Sequence, residues 1–392
     1  MHLLETYALS TGSKIKKPFI IKKYFPLPFK KYITIQNSSG MPGKCYDYFQ
    51  EVINHLRPSL EKENIQIIQI GSKDDAPLKN AINYQGQTNL NQSAYIIENS
   101  MLHIGNDSFA VHMASAFGTP LVALYSVSSP EIAGPFWKNS KQICLTPQNW
   151  KPSFNPNENP KRINEIKIED VVKACEKLLF EKSSTSFTTK FIGDKFIHPI
   201  LECYPDQVIP PNFNQNEMVN IRLDYKKINV LDPIIHNLAT RPCCIVTDSP
   251  INLDPLLVYR KNLSMIIYDV TEGIDVRFIE YLNKLLIRSA IVFKKTKNNE
   301  HLFSERKYQM IELPNLIEEI DIDKDCEFLN DNFIYRTNKI LMANNHFYAS
   351  RAAAEENKPI NFNGKTLEQE IKLINNKELL KQDLDYFLIY GK

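Results

Sequence analysis

The run Ile104-Gly105-Asn106-Asp107-Ser108-Phe109-Ala110-Val111-His112-Met113-Ala114-Ser115-Ala116-Phe117-Gly118-Thr119-Pro120 places polar groups where a strand turns into a helix. An apolar stretch, Met101 to Ile104, ends in Gly-Asn-Asp-Ser, and Asp107 or Ser108 can cap a helix that begins there. The first-turn amides then face outward beyond the strand end, with the positive end of the helix dipole behind them. Such a place takes an anion, and a diphosphate is its natural ligand. Ala110, Ala114, Ser115 and Ala116 let the helix lie close on a sheet. Gly118 and Pro120 stop it and start the next strand, Leu121 to Tyr125.

At these residues the chain resembles the carboxyl-terminal, nucleotide-sugar-binding half of glycosyltransferase family 9, the heptosyltransferase-like enzymes of the GT-B fold. The family pattern is roughly Asp-Ser/Thr-Gly-x-x-His-x-Ala-x-Ala-x-Gly-x-Pro, then an apolar strand and, a little later, Gly-Pro. The chain matches it at Asp107, Ser108, His112, Ala114, Ala116, Gly118, Pro120, Gly134 and Pro135, and departs at Phe109, where the family usually has Gly. Upstream, the β-rich run Tyr32 to Gln36 ends at Asn37-Ser38-Ser39-Gly40, and Lys44 precedes a helical pattern through Tyr48, Phe49, Val52, Ile53 and Leu56. The resemblance implies that the loop containing Asn37 and Ser38, together with Lys44, reaches the donor phosphates. A second strand, Ile65 to Ile70, leads into Gly71-Ser72-Lys73-Asp74-Asp75, similar to the family's Gly-x-x-x-Glu, which makes Asp75 the carboxylate expected on the nucleotide ribose. Leu90 to Ser100 corresponds to the family helix that leads into Met101. The resemblance covers about residues 30 to 180.

Stepping outward from these motifs, the elements that hold them alternate strand and helix. The expected fold class is α/β, and the resemblance implies two Rossmann-like domains in a GT-B-like arrangement with the donor-type domain first. Residues 1–29, with His2, Glu5, Tyr7 and Gly12, look like the connector that joins the two halves in the family. The donor-type domain is read as 30–183, bounded by the polar tract Lys182 to Lys190 that follows the amphipathic pattern Glu169 to Phe180. The Pro/Asn-rich stretch Asn149 to Pro160 reads as a long surface loop. Residues 191–392 form a second α/β domain: Cys243 to Thr247, Met265 to Tyr268 and Ala290 to Phe293 read as strands, and Arg277 to Leu286 as a helix. A strand, turn, Ala-rich helix and Pro plan over Ile340 to Ile360 echoes residues 101–121, aligning Leu341, Asn345, Ala349, Ala353 and Pro359 with Leu102, Asn106, Ala110, Ala114 and Pro120.

Composition fits a chain with two cores: 392 residues, 43% apolar and 23% charged. A net charge of +2, from 47 basic and 45 acidic side chains, gives no electrostatic reason to expect nucleic acid as partner. Lys14 to Lys17 and Lys30-Lys31 are either solvated surface or a contact for anionic lipid headgroups. No apolar run approaches a membrane span, and Met1 to Leu9 lacks the core and cleavage site of a signal peptide, so a cytoplasmic chain, with peripheral contact at the inner membrane as an option, is expected. Seven scattered Cys make no disulfide framework, and neither Cys-x-x-Cys nor His-Glu-x-x-His occurs, so no metal and no cofactor are expected.

For sugar transfer the chemistry needs positive groups or N–H dipoles on the leaving diphosphate and a base for the acceptor hydroxyl. Lys44, Ser108 and the amides after Asp107 meet the first need. The family's catalytic Asp lies in its amino-terminal half, which has no counterpart before residue 30. Within the second domain Asp248, directly after Cys243 to Thr247, is the candidate base, with an Asx-turn in Thr247-Asp248-Ser249-Pro250 as its structural alternative. Asp269 is the second candidate. His112 is either a packing residue or a donor contact. Arg336, Asn338 and Lys339 form a polar cluster before Ile340, and Asp321-Ile322-Asp323, inside an acidic run, is discounted as a metal motif. Two functions stand open. One is a glycosyltransferase that moves a sugar such as a heptose from a nucleotide diphosphate donor to a glycan or lipopolysaccharide precursor. The other is a catalytically silent nucleotide-sugar-binding or interaction protein.

Overall fold

The structure is a computed structural model, and it describes every residue except 17, 138, 140, 159–160, 193–199, 212, 214–217, 229, 271–273, 294–309, 313–332, 338, 362–385 and 392. The Asp321-Ile322-Asp323 run and Asn338 lie outside the described residues. The chain is mixed α/β with parallel sheets and divides into two compact units, Met1–Thr189 and Lys190–Gly391.

In the first unit β1 (Tyr32–Gln36), β2 (Gln66–Gln69), β3 (Ile82–Asn83), β4 (His103–Asn106), β5 (Leu121–Leu124) and β6 (Gln142–Leu145) form one sheet in the order β3-β2-β1-β4-β5-β6. Every pairing is parallel. All five residues of β1 and all four of β4 and β5 are buried, as required of strands covered by helices on both faces. A helix α1 (Leu3–Thr11) precedes the sheet. α2 (Phe49–Lys62) buries Phe49, Val52, Ile53, Leu56 and Leu60, one stripe at helical spacing. α3 (Leu90–Glu98) opens on a capping box in which Asn89 and Gln92 exchange side-chain-to-amide bonds of 3.0 Å. α4 (Phe109–Phe117) buries Ala110 and Ala114 completely, which is how it lies close on the sheet. A short α5 (Pro130–Ala133) follows β5, and α6 (Ile168–Phe180) closes the unit.

The strand order reverses direction between β1 and β4. To one side the chain builds outward through β2 and β3; to the other, through β5 and β6. In open parallel sheets the loops at such a reversal diverge and leave a crevice beyond the carboxyl ends of the two strands. The residues that follow β1 and β4 are Asn37 to Lys44 and Asp107-Ser108.

The second unit has an eight-stranded sheet, ordered β13-β12-β11-β10-β9-β8-β15-β16. Its strands are β8 (Ile200–Cys203), β9 (Val219–Arg222), β10 (Cys243–Thr247), β11 (Leu263–Asp269), β12 (Ser289–Phe293), β13 (Met310–Glu312), β15 (Lys339–Ala343) and β16 (His346–Tyr348). Only the β15–β16 hairpin is antiparallel; its turn residues Asn344 and Asn345 have φ of 47° and 61°, the left-handed pair of a tight hairpin turn. Helices α7 (Asp232–Thr240), α8 (Val276–Lys284) and α9 (Arg351–Glu355) belong to this unit. A separate three-stranded sheet runs β14 (Ile334–Arg336), β17 (Tyr386–Gly391), β7 (Phe187–Ile192). Cys243 and Cys244 are both buried and free.

Two expectations change here. The internal echo fails after its first strand, because β15 turns straight into β16 and α9 starts only at Arg351; Asn345 is a hairpin residue and Ala349 precedes the helix. The Asn149 to Pro160 stretch is more than a surface loop. Trp150 Nε1 donates to Ser126 O (2.6 Å), Phe154 N to Val127 O (2.9 Å), and Gly43 N to Pro156 O (2.7 Å), so it straps together the loops that follow β1 and β5.

Gly118 closes α4 at φ 77°, its amide returning to Ala114 O and Ser115 O. An added Cβ would meet nothing nearer than Asn139 Nδ2 at 3.6 Å, so the backbone conformation alone demands Gly. Gly118→Ala is expected to destabilise the protein by roughly 1–2 kcal/mol and Gly118→Asn by less, measured as a shift in thermal unfolding.

Candidate anion site at the strand reversal

Asn106, fully buried at the end of β4, fixes the crevice. Its Oδ1 accepts from Tyr46 N (3.1 Å) and its Nδ2 donates to Asn37 O (3.0 Å), so one amide side chain holds both ends of the loop that follows β1. Ser39 Oγ adds a bond to Asp107 O (3.4 Å), and Ser39 N is held by Cys45 Sγ (3.2 Å). Within that loop Pro42–Lys44 forms a 3-10 turn, which delivers Lys44 to the carboxyl end of β4. At its far end Asp47 receives Lys161 (2.6 Å) and Asn164 Nδ2 (2.8 Å), closing the strap onto the loop.

Asp107 sits at the centre, its side chain only 6% exposed. Lys44 Nζ and Ser128 Oγ each donate to Asp107 Oδ2 at 2.5 Å. His112, one turn into α4, places Nε2 3.7 Å from Oδ1. At that distance it acts on the carboxylate through charge, when protonated, and not as a hydrogen bond. Burial works to raise the Asp107 pKa; His112, Lys44 and Ser128 outweigh it and hold the carboxyl below its ordinary value. Asp107 is therefore a carboxylate at neutral pH.

The cap expected from Asp107 or Ser108 is not made. Ser108 occupies the N-cap position with extended backbone and its side chain makes no cap bond, and among the described residues no other side chain bonds the first turn of α4, Asp107 being drawn to Lys44 and Ser128 instead. That competition leaves the first-turn amides without a side-chain acceptor, at the positive end of the helix, beside an ammonium and an imidazole. Phe109, the departure from the family's Gly, lays its ring against the core cluster of Tyr32, Ile68, Ala110 and Val111.

Of the other expected donor residues, Asn37 and Ser38 lie in the loop over the crevice. The Asn37 side chain is committed elsewhere, donating to Ala76 O and accepting from Gln69 Nε2, both 2.9 Å. Gly71 has φ 148° and a side chain there would collide with the Asp75 carboxylate. Asp75 Oδ2 accepts from Ser72 N (2.7 Å) and so closes its own turn at the end of β2. Gly134 ends α5, and its carbonyl pairs with His2 Nε2 at 2.9 Å; no described contact joins it or Pro135 to Asp107. Sequence reasoning missed Ser128. Its signal was the serine-rich run Ser126-Val127-Ser128-Ser129 at the carboxyl end of a parallel strand.

In the second unit Asp248 follows β10 and pairs with Lys227, which also donates to Ser249 Oγ (3.1 Å). The turn after β10 is held by Thr247, whose Oγ1 donates to Ser249 O (2.6 Å). Asp269 is the last residue of β11. Both carboxylates stand at the carboxyl ends of parallel strands. Arg336 lies in β14 and Lys339 opens β15, so neither is in a loop. Among the described residues no group of three His, Cys, Asp or Glu could hold a metal ion, and no helix is long and apolar enough to cross a membrane.

Because Asp107 titrates lower in the folded chain than in the unfolded one, its contribution is fully present above the ordinary carboxyl range and is lost as pH falls through the depressed folded value. Asp107→Asn should therefore flatten the acid limb of the stability profile below about pH 4, and cost about 1.5–3 kcal/mol at neutral pH. Urea unfolding of both proteins across that range checks it.

Three comparisons with known proteins match part of the chain. Residues 11–163 match the family model for glycosyltransferase family 9 (heptosyltransferase). Lipopolysaccharide heptosyltransferase 3 of Escherichia coli is 26% identical over 170 residues, 40% of this chain and 48% of that protein. Lipopolysaccharide heptosyltransferase 2 of the same organism is 32% identical over 117 residues, 26% of this chain and 33% of that protein. The chain thus spans less than half the length of these curated relatives. Among solved structures, the E. coli ADP-heptose lipopolysaccharide heptosyltransferase II overlaps 45% of this chain and 51% of its own, with 21% identity and a TM-score of 0.32. A family 9 glycosyltransferase from Veillonella parvula overlaps 45% and 50%, with 24% identity and a TM-score of 0.34. Over residues 11–163 the chain is thus similar to glycosyltransferase family 9 (heptosyltransferase).

Proposed function

We propose that the chain is a glycosyltransferase that holds a nucleotide-diphosphate sugar at the reversal between β1 and β4 and transfers the sugar, a heptose in the simplest reading, to a glycan or lipopolysaccharide precursor. The observation that carries this reading is the convergence of Lys44, His112 and Ser128 on Asp107 beside the uncapped start of α4. A diphosphate seated there would accept hydrogen bonds from the first-turn amides and from Lys44, while Asp107 keeps the ammonium and imidazole aimed. As the sugar leaves, charge builds on the terminal phosphate, and donors already in place stabilise it without reorganisation. The positive field comes from Lys44 and the helix terminus, so the reaction would need no resident metal; direct attack of the acceptor hydroxyl on the anomeric carbon, opposite the leaving diphosphate, would invert it. Asp75 and the Gly71 turn are the proposed ribose contact, with Asn37, Ser38, Asn106, Ser108 and Phe109 shaping the crevice.

The acceptor hydroxyl needs a base, and Asp248 is the proposed one, with Asp269 second. Separation from Lys227 would have to precede proton transfer. A catalytically silent nucleotide-sugar binder is the second reading, favoured by that Asp248–Lys227 pairing and by Phe109 in place of Gly. Incubation with a panel of ADP-, UDP-, GDP- and CDP-sugars, following heat of binding and release of nucleotide diphosphate, separates the two: binding with turnover supports the enzyme, binding without turnover the silent binder.

Lys44→Ala should weaken binding of the nucleotide diphosphate by roughly 1.5–3 kcal/mol, the worth of a charge-assisted hydrogen bond, in calorimetry performed with a chelator present. Unchanged affinity would remove Lys44 from the site. Asp248→Asn should bind donor as the parent does and transfer sugar about two to four orders of magnitude more slowly; a parental rate would end the assignment of the base.

A further inference from the structure

The first 31 residues carry seven lysines and a single acid, Glu5, for a net +6; the whole chain is +2, so the remainder carries −4. Glu5 is occupied in capping α1, where it accepts from His2 N at 2.8 Å. α1 buries no residue, and it exposes Leu3, Tyr7 (58%) and Leu9 (72%). Beyond its terminal Gly12 the chain runs on with Phe19 91% exposed, Ile21 63% and Tyr24 67%.

This segment is held in place. Lys23 N donates to Asn91 O (2.9 Å) and Lys22 pairs with Glu98 (2.6 Å), while Phe25, Leu27 and Phe29 turn inward onto the core of the first unit. Phe19 and Ile21 therefore stand outward from a tethered backbone, and Lys14 and Lys16, just before them in the sequence, are exposed as well.

We propose that this face docks on an anionic phospholipid surface. Aromatic and aliphatic side chains set among lysines fit the headgroup layer, where the rings and branched chains enter the acyl boundary and the ammonium groups meet phosphate. A protein partner fits less well, since interface cores are depleted in lysine. A second copy would set +6 against +6. The docking does not rest on the proposed reaction.

The test is sedimentation of the full chain with vesicles of phosphatidylcholine and phosphatidylglycerol, against phosphatidylcholine alone. Binding to the anionic vesicles only, weakening as salt rises, is expected. Lys14→Glu/Lys16→Glu and Phe19→Ser/Ile21→Ser should each reduce partitioning by roughly ten-fold or more, with thermal unfolding unchanged because these side chains are exposed. No vesicle binding, equal binding to both vesicles, or binding that both double variants retain would overturn the proposal. So would self-association of the chain that either variant abolishes in the absence of vesicle binding.

Discussion

A carboxylate buried at the end of a central strand must be compensated, and the groups that compensate Asp107 are the ones that build the crevice. Lys44 arrives on a 3-10 turn, Ser128 on the loop after β5, and His112 from the first turns of α4. Each comes from a different segment, so the carboxylate ties the loops of three strands and one helix to a single point. Its depressed pKa records the same balance: desolvation is outweighed by the donors gathered round it. Because that carboxylate is spent on Lys44 and Ser128, it does not cap α4. An apparent omission in local capping is what leaves the helix terminus available to an anion.

The scaffold makes this convergence rigid. Asn106 sits between Tyr46 N and Asn37 O, so the loop after β1 cannot drift from β4 without exposing a buried amide to loss of its partners. Gly43 lets the 149–158 strap approach to 2.7 Å, a distance that a side chain at 43 would open. The second unit repeats the parallel logic with its own carboxyl-end polar groups. There the half-buried Arg222 bridges Glu202 and Asp224 and stacks 3.6 Å over Tyr225. Asp248 and Asp269 lie along that same edge.

Much of the first unit was legible because its strands are short apolar runs ended by Gly, Asn, Asp or Ser, and its helices show 3.6-residue stripes. The stretch from Ile104 to Pro120 announced strand, turn and helix through its apolar run, its polar Gly-Asn-Asp-Ser turn, its small helix residues and the Gly118 and Pro120 that end it. What the sequence could not carry was pairing order. Nothing in Tyr32 to Gln36 says that β4 lies beside it, and the crevice exists only because of that neighbour. The cap was misread for a related reason: Asp107 is a good N-cap by local propensity, yet Lys44, 63 residues away, competes for it and wins. Ser128 carried only the signal of a serine-rich run after β5, because its partner Asp107 lies 21 residues away in the sequence. In the echo over 340–360 the spacing of alanines mimicked β4–α4, but Asn344-Asn345 prefers a left-handed hairpin turn, which inserted β16 before the helix.

The account rests on the claim that the start of α4 is the phosphate site, and a crystal structure of the chain soaked with ADP in the presence of a chelator tests it most directly. The account predicts the diphosphate beyond the ends of β1 and β4, within about 2.7–3.2 Å of first-turn amides of α4 and of Lys44 Nζ, with the Asp107–Ser128 contact intact. Nucleotide bound elsewhere, or a diphosphate that touches neither Lys44 Nζ nor any amide of α4, would contradict it.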